Sequence, residues 1–254
     1  RILNQVSAIT TTEMVDLDLL DNRVLARDCI SPVNVPQHTN SAMDGYGFAY
    51  SDVGAAAPLH VVAEVLAGHG YDKVVQPGEA VRIMTGAPVP QGVDTIQPRE
   101  LCDTQDNQVT LLDTASIKLG QHVRLAGEDI AVNDVALSKG TRLGAAELGL
   151  LASLGCYQAE VVNAPTVAVF STGDEVSQPG ETLKPNCIYD SNRYTIKAMA
   201  RKLGCNIIDL GIIEDNEAAL TAALLQASAK ADIVISSGGV SVGNADYIKT
   251  VLAK

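Results

Sequence analysis

The chain has 254 residues, 46% hydrophobic and 19% charged, an ordinary globular composition that excludes disorder and suffices for two or three small cores. Thirty acidic against eighteen basic residues give a net charge of -12 with no Lys/Arg cluster, which argues against sequence-independent nucleic-acid binding. No apolar run approaches the roughly 20 residues of a membrane span and the start does not resemble a signal peptide, so a cytoplasmic protein without membrane contact is expected.

In chain order, residues 1–45 read as a helix end followed by Pro-bounded loops. Residues 46–130 carry short alternating pieces, LHVVAEVLAG, EAVRIMTG and NQVTLL, separated by Gly, Pro, Asp and Asn, the pattern of a small, mostly β domain. Residues 131–163 predict a helix at AAELGLLASLG. The β segment is therefore read as an insertion into a mixed linker domain made of 1–45 and 131–163. From 164 to 254 the pattern alternates: TVAVF, then SNRYTIKAMARKLG, NIIDLGII, NEAALTAALLQASAKA and DIVIS. Strand, helix, strand, helix, strand is the signature of an α/β domain with a doubly wound parallel sheet.

Parallel sheets bind ligands outside the carboxyl ends of their strands, where diverging loops open a crevice. Each of the three strand ends here delivers an acid in a short loop of small residues. TVAVF leads to Asp174 and Glu175, NIIDLGII to Glu214 and Asp215, and DIVIS through Ser237, Gly238, Gly239 and Ser241 to Asp246. Singly, each has a plain structural explanation: Asp215 or Asn216 as a helix N-cap, Glu175 as a solvated turn acid, the glycines as a tight turn. Their convergence points to a site. The Gly/Ser loop offers N–H and O–H donors to an oxyanion. Carboxylates repel an anion unless a cation intervenes, and oxygen-only ligands suit Mg²⁺. Elsewhere Asp44 precedes Gly45, Glu128 and Asp129 follow Gly127, and Thr85 and Gly86 end a strand; each alone reads as a turn. Neither a phosphate-binding GxxxxGK[ST] loop nor a GxGxxG after a strand is present. The five cysteines are odd in number without a CxxC pair, and the four histidines lack metal-ligand spacing.

Six stretches in this order, NSAMDGYGF, RIMTGAPVP, LAGEDI, FSTGDEV, IYDSNRY and SSGGVSVGNADY, resemble the molybdopterin molybdenumtransferase family, the MoeA and gephyrin E-domain group. The resemblance implies that the α/β domain binds molybdopterin. It also implies a Mg²⁺-dependent insertion of molybdate into adenylylated molybdopterin with release of AMP, by a homodimer whose cleft is shared between subunits. Carried over motif by motif, the catalytic positions are Asp44, Asp129, Glu175 and Asp246. Those for substrate are Thr85, Ser237, Gly238, Gly239 and Ser241, and those for the metal are Asp215, Asp246 and Glu175. Other proteins of molybdenum-cofactor biosynthesis are implied as partners. Two alternatives use the same parts: a non-catalytic gephyrin-like scaffold, and a CinA-like nucleotide hydrolase or deamidase built on the α/β domain. Family members continue past the position of Lys254, so the chain is expected to be an internal fragment of a longer protein.

Overall fold

The computed structural model describes residues 6–54 and 57–238. In chain order the strands are β1 (Thr12–Asp16), β2 (Cys29–Ile30), β3 (Asn40–Ser41), β4 (Gly45–Phe48), β5 (Leu59–Val65), β6 (Glu79–Ile83), β7 (Thr95–Pro98), β8 (Cys102–Gln105), β9 (Gln108–Leu111), β10 (Val123–Arg124) and β11 (Val135–Leu137). Then come α1 (Ala145–Ser153), β12 (Gln158–Val162), β13 (Thr166–Thr172), β14 (Val176–Ser177), β15 (Ile188–Tyr189), α2 (Asn192–Lys202), β16 (Asn206–Ile213), α3 (Glu217–Ser228) and β17 (Ile233–Ser237). Two compact units result, one of residues 28–138 with 150–156, the other of 1–27, 139–149 and 157–254.

The first unit is built on a six-stranded sheet in the order β7-β4-β6-β5-β9-β8, antiparallel except where β5 runs parallel to β6. Alternate residues of β6 face opposite cores, because successive side chains of a strand point to opposite faces. Ala80 joins Tyr46, Phe48, Leu59, Val109 and Ile117, while Val81 and Ile83 join Val65, Val75, Ala87 and Ile96. Both faces of this short strand are therefore buried. In β4 the aromatics of GYGF fill the first core and its glycines face away from them. A Cβ on Gly47 would come within 2.8 Å of Val93 Cγ1, so only glycine lets the second core close over the strand.

In the second unit, the expected helix end within 1–45 is replaced, among the described residues, by β1 and a single 3₁₀ turn at Leu17–Leu19. Thr12, Val15 and their neighbours instead pair antiparallel with β12, Thr12 opposite Val162 and Asp16 opposite Gln158. The helix expected at AAELGLLASLG is present as α1, and Glu147 turns back to accept a hydrogen bond from Gly144 N at 2.9 Å, closing the orphaned amino end.

The alternating pattern from 164 to 238 folds as read. Strands β16-β13-β17 form a parallel sheet with β13 in the middle. Val167 and Val169 pack with Ile196 and Ala200 of α2 on one face, and Phe170 packs with Leu220 and Leu224 of α3 on the other. Burying each such side chain contributes about 1.5–3 kcal/mol. The chain adds β16 on one side of β13 and β17 on the other, so the direction of winding reverses at β13 and the crevice expected of such a reversal lies at its carboxyl end. One irregularity interrupts β16: Asp209 stands opposite Val169 but Gly211 opposite Phe170, leaving Leu210 as the extra residue of a bulge with Gly211 at φ +75°.

Candidate functional site

At the reversal point, Thr172 of β13 stands opposite Ile213 of β16, so the next residues of both strands emerge side by side. On the β13 side the chain turns at Gly173, whose carbonyl accepts a hydrogen bond from Val176 N at 3.0 Å. Ile188 N then holds Glu175 O at 2.8 Å. The Glu175 carboxylate folds back over Gly173, whose φ is +136°; a Cβ there would lie 2.6 Å from Oε2. Glycine is thus required twice over, by conformation and by space. Glu175 remains exposed.

On the β16 side the structure divides the acids from the cap. Asn216 is the N-cap of α3, its Oδ1 accepting from Ala219 N at 2.9 Å, and its Nδ2 donates to Glu214 Oε2 at 3.0 Å. The residue between them, Asp215, is spared both duties. Its half-buried carboxylate takes no hydrogen bond or ion pair among the described residues. Glu175 and Asp215 are therefore two oxygen donors delivered to neighbouring strand ends, a donor type suited to a hard cation. Among the described residues, no three His, Cys, Asp or Glu side chains gather to hold a metal ion. The third carboxylate expected there, Asp246, lies outside the described residues, as do Gly239 and Ser241. The part of the Gly/Ser loop that is described sits where the sequence placed it. Ser237 ends β17 opposite Ser171, and Gly238 follows at φ +103° against the backbone carbonyl of Thr172.

Behind this end of the sheet lies a buried ionic network that motif reading missed. Arg193 of α2, 3% exposed at its side chain, donates from Nε to Asp190 Oδ2 at 2.7 Å, from Nη1 to Asp209 Oδ1 at 2.5 Å and from Nη2 to Gln178 Oε1 at 2.5 Å. Ser171 Oγ donates to Asp190 Oδ1 at 3.0 Å, and Lys197 pairs with Asp209. Burial opposes charge on Asp209, but hydrogen bonds from Lys197, Arg193 and Gly211 N outweigh it and hold its carboxyl down at about 2. Through Gln178, Arg193 reaches the segment that follows Glu175. Its sequence signal was a cation one helical turn after Asp190 in IYDSNRY and one before Lys197.

In the other unit the structure joins two residues that the motifs gave separately. Thr85 donates both its backbone N–H and its hydroxyl to Asp44 Oδ1, each at 2.7 Å. Those bonds, the backbone one foremost, hold the Asp44 carboxyl below its ordinary value, with Arg82 assisting. Asp44 and Arg82 also line a cavity of about 180 Å³ with Tyr46, Met84, Arg99 and Glu100. Asp129 is engaged differently. It pairs with Arg124 Nη2 at 2.7 Å, while Glu128 takes Arg124 Nε at 2.5 Å, so both acids share one guanidinium on the surface.

The family model described as MoeA N-terminal region (domain I and II) matches residues 1–155, and the one described as probable molybdopterin binding domain matches 168–254. A molybdopterin molybdenumtransferase of Haemophilus influenzae is 42% identical over 100% of this chain and 63% of its own length. One from Nostoc is 43% identical over 95% of this chain and 56% of its own. The crystal structure of a molybdopterin biosynthesis MoeA protein from Pyrococcus horikosii superposes with a TM-score of 0.82 at 30% identity, over 99% of this chain and 64% of that one. The chain thus spans about three fifths of the length of the curated relatives it matches. In fold, in motif order and in sequence alike, it belongs to the MoeA family of molybdopterin molybdenumtransferases.

Proposed function

We propose that the protein to which this chain belongs inserts molybdate into adenylylated molybdopterin with release of AMP, in a Mg²⁺-dependent reaction in the cytoplasm. The observation that carries this reading is the emergence of Glu175 and Asp215 from adjacent strand ends, next to the loop begun by Ser237 and Gly238. Glu175, Asp215 and Asp246 would hold the ion, whose charge would offset that of the pyrophosphate linkage. Ser237, Gly238, Gly239 and Ser241 bind the tetrahedral oxyanion through N–H and O–H donors. Asp44, with Thr85 as its partner, and Asp129 supply the acidic groups of the first unit. We assign them to the same reaction through a homodimer whose cleft combines residues of two subunits. Other proteins of molybdenum-cofactor biosynthesis would be the partners that deliver the substrate.

The test is AMP release from adenylylated molybdopterin by the full-length protein, with molybdate and Mg²⁺ each present or omitted. Release that depends on both is expected, and release that is indifferent to Mg²⁺ would dismiss the metal role of the carboxylates.

A further inference from the structure

Two buried side-chain polar atoms have no hydrogen-bond partner among the described residues, Asn163 Oδ1 and Thr172 Oγ1. Thr172 is only 4% exposed, and it is the last residue of the central strand. A buried hydroxyl without a partner is rare in native interiors, because it gives up water and receives nothing in exchange. The neighbours of Thr172 are fully engaged: Ser171 bonds Asp190 on the α2 side of the sheet, and Val176 N closes the turn on Gly173. Alternation along β13 puts Thr172 on the opposite face, the one covered by α3, whose amino end is preceded by Asp215. Gly238 lies against it, since a Cβ on that glycine would be 3.3 Å from Thr172 Cγ2 and in collision with its carbonyl oxygen. The first residue of the Gly/Ser loop is thereby held against the methyl side of Thr172, and the hydroxyl is left over.

We infer that Thr172 is a substrate-binding residue whose hydroxyl donates to a tetrahedral oxyanion, a phosphate ester or molybdate, seated at the carboxyl end of β13. The inference deepens the role proposed above for the Ser237–Gly238 turn and rests on it. Occupation of the site supplies the partner that Thr172 Oγ1 lacks among the described residues. The hydroxyl is kept at a cost to stability because it serves the ligand.

The substitution Thr172→Val keeps shape and removes only the hydroxyl, so a purely structural orphan leaves ligand affinity unchanged while a ligand contact weakens it. Binding of molybdate and, separately, of AMP to the full-length protein is measured by calorimetry, alongside the thermal midpoint without ligand. The expected result is an unchanged or raised midpoint in Thr172→Val, with affinity for one or both ligands about tenfold weaker. Thr172→Ser should restore it to within about twofold. Loss confined to molybdate assigns the contact to the metal oxyanion, and loss confined to AMP assigns it to the phosphate ester. Wild-type affinity in Thr172→Val, or no binding of either ligand by the wild type, overturns the inference. If binding behaves as expected while AMP release from adenylylated molybdopterin is never observed, the proposed reaction falls and the oxyanion contact stands.

Discussion

Thr85 gives two hydrogen bonds to a single oxygen of Asp44, one from its backbone and one from its side chain, both at 2.7 Å and across 41 residues of chain. A carboxylate held this way has one oxygen committed and the other available. Thr85→Val removes the hydroxyl bond and leaves the backbone bond in place. The Asp44 carboxyl should then move up toward the ordinary aspartate range without reaching it, as read by side-chain carboxyl NMR through a titration. Because both groups are exposed, the thermal midpoint should hold. An unaltered titration of Asp44 would mean that the side-chain bond does not form in solution.

Asp209 makes the fold sensitive to acid. Its carboxyl sits near 2 in the folded chain, below the ordinary aspartate value of about 3.9. A group depressed on folding stabilises the fold above its unfolded value, and that contribution disappears as the pH falls through the folded value. Asp209→Asn should therefore be less stable than wild type at pH 7, and the gap should narrow as the pH falls from about 4 to 2. Its side chain is 34% exposed, so solvent screening reduces the effect to about 1 kcal/mol. Denaturant midpoints of both proteins at several pH values read this directly. A gap that stays constant with pH would rule out charge on Asp209 as its source.

The division of labour before α3 predicts opposite phenotypes for adjacent residues. Asn216→Ala removes the cap of the helix and should cost about 1 kcal/mol in stability. Asp215→Asn leaves the cap intact, so it should fold as stably as wild type while weakening Mg²⁺ binding and turnover of the full-length protein. Calorimetric Mg²⁺ titration beside thermal melts separates the two. If Asp215→Asn melts early and binds Mg²⁺ normally, the metal assignment is wrong.

The parallel sheet was legible because its strands are short, mostly apolar runs that alternate with helical segments, both properties of neighbouring residues. What escaped reading depends on partners far away in the chain. The bond from Gln158 to Asp16 spans 142 residues, and β1 shows its strand character only once β12 lies beside it. For the site, the strand ends could be located and their acids named. The sequence left Asp215 and Asn216 as equal candidates for the cap, and the backbone geometry chose Asn216. Nor does an amphipathic helix give notice that its buried positions include Arg193 and Lys197, which are charged and answered by acids brought in from another strand and loop.

The bulge in β16 acts as a change of phase. Before it, the odd-numbered residues Ile207 and Asp209 look toward α2; after it, the odd-numbered Ile213 packs with Phe170 and Leu220 on the side of α3. One supernumerary residue, accommodated by the left-handed Gly211, lets a single strand serve an ionic network on one face and an apolar core on the other. Deleting that residue would return the strand to a single rhythm. The residues downstream would keep their partners, Gly211 opposite Phe170 and Ile213 opposite Thr172, but the core shared with α3 would lose Leu210.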